Sequence, residues 1–596
     1  MEISAQKSFD FTRIFELLQF QKDRYPNHKA LSTWSQGSWH SYSVTTIMDK
    51  ADALSLLLLQ AGFKKADRAI LVPESGSPDW IIIDMALQQI GIVVVPVHPT
   101  LQADEINYIF NEIEPNLIVT LNKSIYNNWL PLTTTNIFHL EPGVEGYFHF
   151  MNDTGLEYTQ ITHLQTIKDM VHEEDLSTIL YTSGSTGINK GVMLSHKNII
   201  HTIKAILTIL PLDPGTKVIS FLPFSHIFER TTCYAYLAFG VSIYFSEDKS
   251  RFSHDFRSVR PVFCTAVPRV LEKMYDHLDE IKLRKNNFVK RIIDWAITIG
   301  EKYDVNKTLD VKYKIQLTVA RVLVLNQFRK ALGGHLKWIV VGASALRPEI
   351  SRLFSAGKIR IIEGYGMTEM APLISINRLE PGLYRSGSVG MSIPGVEIKI
   401  DDPDENETGE ILVKGPNLMV GYYQNKELTQ ASITADGWLK TGDIGRMGEK
   451  RFLYITDRKK DIFKTSSGKY ISPLPLQLHF EQSPFILRCL ILGFQKPFVT
   501  ALIVPNFELL ETWCKMNAVH YTSAEYMVYN IKVRELYIAE TDKLNTTLAN
   551  HEQVRDFVLC HQDWTIENKE VTTTLKPIRH LLMEHYHKAI DAMYDN

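Results

Sequence analysis

Short β-branched runs alternate with helix-period segments through much of this 596-residue sequence, and this alternation constrains the fold more than any other feature. Ala69–Val72, Ile92–Val97 and Leu117–Thr120 are each closed within two residues by Pro or Asn, and segments such as Ile47–Leu59 separate them. Strand–helix alternation predicts parallel sheets covered by helices. Further runs of the same kind follow: Val218–Leu222, Val241–Phe245, Val262–Ala266, Ile339–Val341 and Ile361–Ile362.

A helical insertion over residues 269–330 interrupts the alternation, since its apolar residues recur at steps of three and four. Glu397–Ile400 and Ile411–Val413 predict a hairpin in a small β region. A single core stops growing near roughly 250–300 residues, so more than one domain is expected. The composition changes at Asp457. We therefore predict an α/β protein with a large domain, residues 1–456, of parallel and mixed sheets, and a smaller mobile α+β C-terminal domain, residues 457–596.

Net charge and cysteine usage exclude several classes of protein. A formal net charge of −3 gives no bulk attraction to nucleic acid. The five cysteines form no CxxC pair and are odd in number, which suits a reducing cytosol. The N-terminus is polar, and no apolar run approaches the ~20 residues that span a bilayer. We expect a cytoplasmic protein and leave its oligomeric state open.

A basic cluster in the insertion is the feature that points to a membrane. It consists of Lys282, Arg284, Lys285, Lys290 and Arg291. A solvated helix face is the simpler interpretation, and peripheral contact with the inner membrane surface is the alternative.

The stretch from Tyr181 to Gly191, YTSGSTGINKG, has the composition of a phosphate-binding loop. Glycine lets backbone N–H groups approach an anion, Ser and Thr add donors, and Lys190 adds charge. The stretch is neither a P-loop, which needs Gly-Lys followed by Ser or Thr, nor a dinucleotide fingerprint. On composition alone a flexible Gly/Ser linker remains the alternative.

The order of these residues, T-S-G-S-T-G-x-x-K-G, resembles the signature of the adenylate-forming (AMP-binding) superfamily, which includes acyl-CoA synthetases, peptide-synthetase adenylation domains and firefly luciferases. Further matches are GYGMTE at 364–369, WLKTGDIG at 438–445 and DRKKD at 457–461. Together with the insertion and the Thr-Leu-Lys near the end, they look most like long-chain fatty acyl-CoA synthetases. Taken alone, GYGMTE is also typical of a surface turn and DRKKD of solvated charge.

The resemblance implies sites for ATP, Mg²⁺ and CoA. The phosphate loop would comprise Thr182, Ser183, Gly184, Ser185, Thr186, Gly187 and Lys190. The nucleotide would further contact Gly342, Ala343, Gly364, Tyr365, Gly366, Met367 and Thr368. Tyr365 would flank adenine, Thr368 would touch the α-phosphate, and Asp443 and Arg458 would hold the ribose. Thr182 and Glu369 would bind Mg²⁺, for which oxygen ligands are suited.

The remaining implied residues concern the acid, the thiol and the catalytic lysine. His226, in FLPFSHIFER, would line the acyl pocket, although a core histidine is the better interpretation of that residue alone. Lys464 and Gly468 belong to a loop that would reach the CoA channel, and Asp457 resembles the hinge. Lys576 matches the lysine of adenylation. Thr573 and Pro577 depart from the family pattern beside it, as Leu476-Gln477 does further upstream.

The sequence therefore predicts an ATP-dependent ligase. It would convert a long-chain fatty acid to acyl-AMP with release of pyrophosphate and transfer the acyl group to CoA. Two alternatives stay open: an adenylating ligase for another carboxylic acid or a carrier-bound acceptor, and a catalytically silent nucleotide-binding regulator.

Overall fold

Two large mixed sheets organise most of the chain in the computed structural model. It describes residues 9–72, 76–120, 123–140, 158–183, 189–283, 286–566, 568–572 and 576–595. Continuous apolar strands, as predicted, are buried on both faces; Arg68–Val72 and Val93–Pro96 are almost entirely inaccessible. Both strand runs are rich in valine and isoleucine, as expected of strands covered by helices on each side.

The first large sheet has a parallel centre and antiparallel edges. Its described strands, in spatial order, are Met391–Ser392, Leu373–Ile376, Arg360–Gly366, Trp338–Val341, Phe263–Ala266, Lys217–Ser220, Ser242–Phe245, Leu31–Ser35 and Ser38–Tyr42. The hairpin Leu31–Tyr42 was not anticipated from the sequence, because its second strand is polar and largely exposed.

The second large sheet also has a parallel centre, but it is antiparallel at one edge only. Its described strands, in order, are Gly421–Tyr422, Asn189–Ser195, Leu176–Ser183, Val93–Pro96, Arg68–Val72, Leu117–Thr120 and Ile137–His139. Leu176–Ser183 and Asn189–Ser195 pair in antiparallel fashion, so the phosphate-loop stretch joins two strands of one hairpin.

Three smaller sheets follow along the chain. The predicted hairpin of Glu397–Asp401 and Gly409–Lys414 is confirmed and extends to Leu439–Met447 and Leu453–Arg458. Phe463–Lys464 pairs with Tyr470–Ile471. The last sheet contains Ile486–Leu492, Val499–Pro505 and Val554–Leu559, and apolar clusters on both of its faces give this end of the chain a core of its own.

Helices cover the sheets, and several begin at residues suited to capping. Ser43 Oγ accepts from Thr46 N, and Ser77 Oγ accepts from Trp80 N ahead of Pro78 at the first helical position. The described helices are Glu16–Arg24, Val44–Gln60, Pro78–Gln88, Ala103–Ile113, Lys123–Trp129, Tyr158–Asp169, His196–Ile209, Ile227–Phe239, Phe252–Val259, Pro268–Leu283, Asn287–Glu301, Val311–Ala320, Asn326–Ala331, Pro348–Ala356, Lys426–Ser432, Pro473–Phe480, Phe507–Met516, Ala524–Met527, Ile531–Asn545, Arg579–His585 and His587–Ala592.

The helical insertion predicted over residues 269–330 is present as consecutive helices between Pro268 and Ala331. Of the basic cluster assigned to it, Lys290 and Arg291 lie in the helix Asn287–Glu301. The side chain of Lys282 and the whole of Arg284 and Lys285 lie outside the described residues. Across the described ranges, none of the helices is both long and apolar enough to cross a membrane.

A buried ion pair fixes the helix Ile227–Phe239 between the two large sheets. Arg230 Nη2 lies 2.6 Å from Asp84 Oδ1, and neither side chain is accessible to solvent. Arg230 also donates to Thr178 Oγ1 and to Tyr234 Oη, so each nitrogen of the guanidinium has a partner. This network holds the N-terminus of the helix, which begins after His226, at one place in the fold.

Candidate active site

The hairpin that carries the phosphate loop places Thr182 and Lys190 opposite each other. Its antiparallel register pairs Thr182 with Lys190 and Ser183 with Asn189. Gly184, Ser185, Thr186 and Gly187 lie outside the described residues. The two ends of the loop are therefore defined by strand pairing, and Lys190 stands at one of them.

Lys190, Glu369 and Tyr422 form a connected triad. Lys190 Nζ lies 2.8 Å from Glu369 Oε1 and 2.7 Å from Tyr422 Oη, and the tyrosine donates to the same carboxylate oxygen at 2.9 Å. The ammonium also lies 4.3 Å from the centroid of the Tyr422 ring. Glu369 is buried, so this carboxylate is held by a cation and a hydroxyl in a setting of low dielectric.

Thr182 brings an unsatisfied oxygen to the same place. Within the described residues, its Oγ1 is buried and has no hydrogen-bond partner. Buried hydroxyls are normally paired, so an orphan beside a phosphate-loop lysine indicates a group completed by a ligand.

Asp443, Arg458 and Tyr365 form a second connected group. The antiparallel register of Leu439–Met447 and Leu453–Arg458 pairs Asp443 with Arg458, and Arg458 Nε lies 2.9 Å from Asp443 Oδ1. Tyr365 Oη donates to Asp443 Oδ2 at 2.6 Å. Burial and the neighbouring carboxylate raise the pKa of Tyr365 well above its usual value, so the tyrosine remains a donor.

Lys576 comes from the end of the chain to this second group. Burial lowers its pKa to about 8, and the nearby positive charge of Arg458 acts in the same direction, while Asp443 opposes the shift. Lys576 N donates to Thr572 Oγ1, and Thr572 N donates to Lys576 O. Pro577 forms a β-bridge with Val571, so this proline is accommodated in the turn. Thr573 lies outside the described residues.

His226 faces the same region from the large domain. Burial lowers its pKa to about 4, and the positive charges of His98 and Lys576 contribute to the shift. The rings of His98 and His226 lie 6.1 Å apart. A neutral imidazole is therefore present at neutral pH, near enough to Lys576 for their charges to interact.

Small residues at neighbouring strand ends leave room for a flat group. Gly342 follows the strand Trp338–Val341, and a Cβ built there would lie 3.6 Å from the Phe228 ring and 3.7 Å from Gly364 O. Ala343, the next residue, has a positive φ of 76° and is exposed. Gly342 is thus buried beside Phe228, and the edge of the sheet is open from Ala343 onward.

The structure does not support the surface-turn interpretation of GYGMTE at Gly364, Tyr365 and Gly366. They continue the strand Arg360–Gly366. Glycine at 366 permits this, because a Cβ there would lie 1.8 Å from Pro372 O of the returning chain. Met367 N donates to Pro372 O, and Thr368 begins the short turn that presents Glu369.

Lys464 and Gly468 lie apart from these groups. Lys464 is exposed, with Nζ 4.4 Å from the Tyr470 ring centroid, and Lys464 O accepts from Gln495 N. Gly468 has a φ of 78° and open space around its Cα. None of the contacts described for the two residues joins them to Asp443 or Glu369.

Asp457, in the strand Leu453–Arg458, contacts the C-terminal region. Its carboxylate accepts from Arg458 N at 2.7 Å and from Leu474 N at 3.3 Å, at the start of the helix Pro473–Phe480. Burial raises the pKa of this carboxyl to about 6.

Sequence reasoning missed Tyr422 and Lys460. Tyr422 carries no motif of its own and reaches Glu369 only because Gly421–Tyr422 pairs with the strand Asn189–Ser195. Lys460 is exposed, as solvated charge would be, yet partial burial lowers its pKa and its charge interacts with those of Asp443 and Lys190. Its position inside DRKKD, next to Arg458, was the available signal.

Comparison with known proteins agrees with this geometry. A family model described as "AMP-binding enzyme" matches residues 18–423, and one described as "AMP-binding enzyme C-terminal domain" matches residues 460–596. The chain belongs to the AMP-binding enzyme family. The predicted family is thereby confirmed.

Relatives in this family match over most of their length. Long-chain-fatty-acid–CoA ligase 1 of Cavia porcellus is 29% identical, covering 93% of this chain and 82% of the relative. The peroxisomal long chain acyl-CoA synthetase 7 of Arabidopsis thaliana is 29% identical, covering 96% and 85%. Fatty acyl-CoA synthetase A of Dictyostelium discoideum is 28% identical, covering 98% and 90%.

Two solved structures share the fold of this chain. The adenylation domain of a carboxylate reductase from Mycobacterium chelonae gives a TM-score of 0.74 at 19% identity, covering 99% of this chain and 92% of that one. ATP-bound MatB from Rhodopseudomonas palustris gives 0.69 at 20% identity, covering 96% and 99%. The predicted arrangement, a large α/β domain followed by a smaller C-terminal one, is confirmed at the level of fold.

Proposed function

We propose that this AMP-binding enzyme is a long-chain fatty acid–CoA ligase that forms AMP. The observation that carries the proposal is the convergence of Lys190, Glu369, Asp443, Arg458 and Lys576, separated widely in sequence, into two adjacent charged groups. The charge of Lys460 influences, or is influenced by, the charges of Lys190, Asp443 and Lys576. Lys460 therefore lies between the two groups, which are neighbours. The names and coverage of the relatives support the choice of acid and thiol.

The reaction has two displacements. In the first, a carboxylate oxygen of the fatty acid attacks the α-phosphorus of ATP, the bond from that phosphorus to the bridging oxygen breaks, and pyrophosphate leaves. In the second, the sulfur of CoA attacks the acyl carbon, and AMP leaves as the carbon–oxygen bond breaks. A carboxylate alone is a poor electrophile, so the first step supplies the leaving group that the second step requires.

The phosphates of ATP would be held by the hairpin loop and its lysine. Lys190 is tethered to Glu369 and Tyr422, so its ammonium is already positioned at the end of the loop. A donor fixed before the reaction costs little reorganisation when charge develops.

The residues around Glu369 fit a magnesium ion. The orphaned Thr182 Oγ1 and the buried Glu369 carboxylate are both oxygen donors of the kind that Mg²⁺ prefers. The described residues contain no cluster of three or more His, Cys, Asp or Glu side chains suited to a metal, so phosphates and water would complete the coordination. The ion would supply charge neutralisation at the phosphates, while Lys190 and Tyr422 keep the Glu369 carboxylate oriented.

The nucleoside end would lie against the second group. Asp443 is fixed by Arg458 and Tyr365, so its carboxylate is oriented to accept from ribose hydroxyls. The exposed edge that begins at Ala343 would provide space for the adenine ring, with the Tyr365 strand beside it.

Lys576 would neutralise charge on the α-phosphate during the attack. Its ammonium is brought near Asp443 and Arg458 in the present arrangement, which we assign to the adenylation step. For thioester formation we propose that the C-terminal domain rotates about Asp457, withdrawing Lys576 and bringing Lys464 and Gly468 toward the CoA channel. The use of Lys576 in the first step and of Lys464 and Gly468 in the second would explain why these two segments lie apart.

The acyl chain would extend from His226 into an apolar seam. Phe221, five residues before His226, lines a void of about 10 Å³ enclosed by the helices Phe252–Val259 and Pro268–Leu283 and by sheet residues such as Cys264. The void is far too small for an acyl tail, so the rings of Phe252 and Phe256 would have to separate as the chain enters.

Pyrophosphate release measured across a series of acids tests the proposal. Release that depends on long-chain fatty acids, followed by CoA-dependent thioester formation, is the expected result. Preference for aryl or short acids would identify the enzyme as another adenylating ligase. Nucleotide binding without release of pyrophosphate with any acid would identify a catalytically silent regulator.

A further inference from the structure

A strip of exposed apolar side chains runs along the third helical segment of the insertion. It lies on the helix Val311–Ala320 and on the π-helical turn Arg321–Leu325 that continues it. The strip consists of Val311, 74% exposed, Ile315, 62%, Val319, 42%, Val322, 67%, and Leu323, 50%. Steps of three and four residues place them on one face, and we call this face the 311–323 strip.

The packing of the opposite face fixes the strip outward. Leu317, Ala320, Val324 and Leu325 are buried in the core of the insertion. Tyr313 Oη also donates to Ile299 O at 2.6 Å. If the helix rotated to bury its exposed apolar face, it would expose the apolar residues that are now buried on the opposite face.

Basic residues dominate the charge around the strip, and Asp310, the exposed N-cap of its helix, is the acidic residue next to it. From Val311 to Ala331 the sequence contains no Asp or Glu but five basic residues, Lys312, Lys314, Arg321, Arg329 and Lys330. Lys312 and Lys314 are exposed on the same helix as the strip. The helix Ile531–Asn545 offers a contrast, because its exposed Ile531 and Ile538 stand among both acidic and basic residues.

We propose that the 311–323 strip is a docking surface for an anionic lipid bilayer. A short helix with apolar side chains on one face and lysines beside them lies in the plane of a membrane, with the apolar groups at the acyl boundary and the ammonium groups among the headgroups. The five residues of the strip are all aliphatic, so the strip offers no polar group that could fix the orientation of a protein partner. Such a surface suits a bilayer, which presents the same chemistry in every direction. An anionic surface also matches the basic flank.

The surface lies in the same insertion as the apolar seam of the acyl site. Val270, Leu271 and Met274, at the start of the insertion, line that seam. Resting on the proposed function, the strip would place the enzyme where a fatty acid is already concentrated. Docking itself does not depend on the identity of the substrate.

Vesicle flotation of the full chain tests the proposal. The probes are vesicles of phosphatidylcholine alone and of phosphatidylcholine mixed equally with phosphatidylglycerol. The wild-type chain should float with the anionic vesicles, less so at high salt. The triple variant Ile315→Ser, Val319→Ser, Leu323→Ser should remain in solution, and Lys312→Glu with Lys314→Glu should weaken binding at least about tenfold. The matched control, Ile531→Ser with Ile538→Ser, should float as the wild type does.

A second readout separates insertion from simple charge attraction. All five cysteines are buried, so Leu323→Cys can be labelled selectively with an environment-sensitive fluorophore, with Ile538→Cys as control. A blue shift with anionic vesicles at Cys-labelled position 323, and none at position 538, is expected. Equal flotation of the triple variant and the wild type would overturn the proposal. So would a wild-type dimer that ignores vesicles and that the triple variant dissociates, since the face would then be a contact between copies.

These outcomes are independent of the ligase assay. A wild-type chain that does not float but releases pyrophosphate in full in detergent would reject the docking surface and support the ligase. A chain that floats as expected but releases no pyrophosphate would support the docking surface and reject the ligase.

Discussion

Lys190 Nζ and Glu369 Oε1 lie 2.8 Å apart although 179 residues separate them in the chain. The hairpin register places the lysine opposite Thr182, and the turn after Tyr365 delivers the carboxylate. Tyr422 bonds to both partners, so the pair is held at a fixed distance before any nucleotide arrives. This arrangement is the basis for the first prediction.

Glu369→Gln should raise the Mg²⁺ concentration needed for half-maximal adenylation by about 10–100-fold, because a neutral amide is a poor ligand for the ion. Tyr422→Phe should have a smaller effect, about tenfold, since it removes one hydrogen bond to a charged group on each side. Tyr423→Phe, one residue further on, is the control and should change little. The measurement is pyrophosphate release against Mg²⁺; identical curves for Glu369→Gln and wild type would refute the assignment.

Lys576→Ala should reduce adenylation by about 10²–10³-fold, the usual loss for one preorganised donor. Thioester formation from supplied acyl-adenylate should be nearly unchanged, since the lysine is expected to have withdrawn by then. Separate assays of the two half-reactions check this. Equal losses in both would mean that Lys576 supports the fold and not the first step.

The pH dependence of adenylation gives an independent test of Lys576. Its pKa of about 8 lies below the ordinary value, so the ammonium is present below pH 8 and is lost as pH rises through that value. Adenylation should therefore decline above about pH 8. Lys576→Arg should retain charge and move the decline to higher pH; an unchanged profile in that variant would assign the titration to another group.

Gly468→Leu should harm thioester formation while leaving adenylation nearly intact. The φ of 78° costs a side chain about 1 kcal/mol, but no atom lies within 4 Å of the added Cβ in the present arrangement. Gly334→Leu is a matched control, because Gly334 has a φ of 77° and equally open surroundings. If Gly468→Leu slows both half-reactions alike, the loop has no special role with CoA.

Asp457→Pro should arrest the enzyme after one adenylation. Proline fixes φ near about −65°, so rotation at this residue would be blocked. The expected result is retained acyl-adenylate and a burst of pyrophosphate close to the amount of enzyme, with an unaltered circular dichroism spectrum. Continued CoA-dependent turnover would place the hinge elsewhere.

Arg230→Met should destabilise the chain by about 3–5 kcal/mol, because it leaves Asp84 as an uncompensated buried charge. Lys197→Met is the control: its ion pair with Glu174 is exposed, and its loss should change stability by less than about 1 kcal/mol. Thermal unfolding of both variants provides the comparison. Similar melting temperatures would show that the buried pair contributes no more than a surface pair.

The sequence by itself determined the local elements and the family. Apolar runs such as Leu117–Thr120 became buried strands because period and composition act over a few residues, and the glycine- and hydroxyl-rich stretch predicts a phosphate loop. The motifs also singled out Asp443 and Arg458, which the structure brings into contact, since each lies in a recognisable segment.

Only the tertiary structure decided which of these residues meet. Tyr422 joins Glu369 through a two-residue strand pairing, and Lys460, although exposed, lies near enough to Asp443 for their charges to interact. Likewise, the 311–323 strip is exposed because the opposite face of its helix packs into the hydrophobic core of the insertion. Such outcomes depend on contacts between distant segments, and burial and electrostatics are properties of those contacts, which no local pattern encodes.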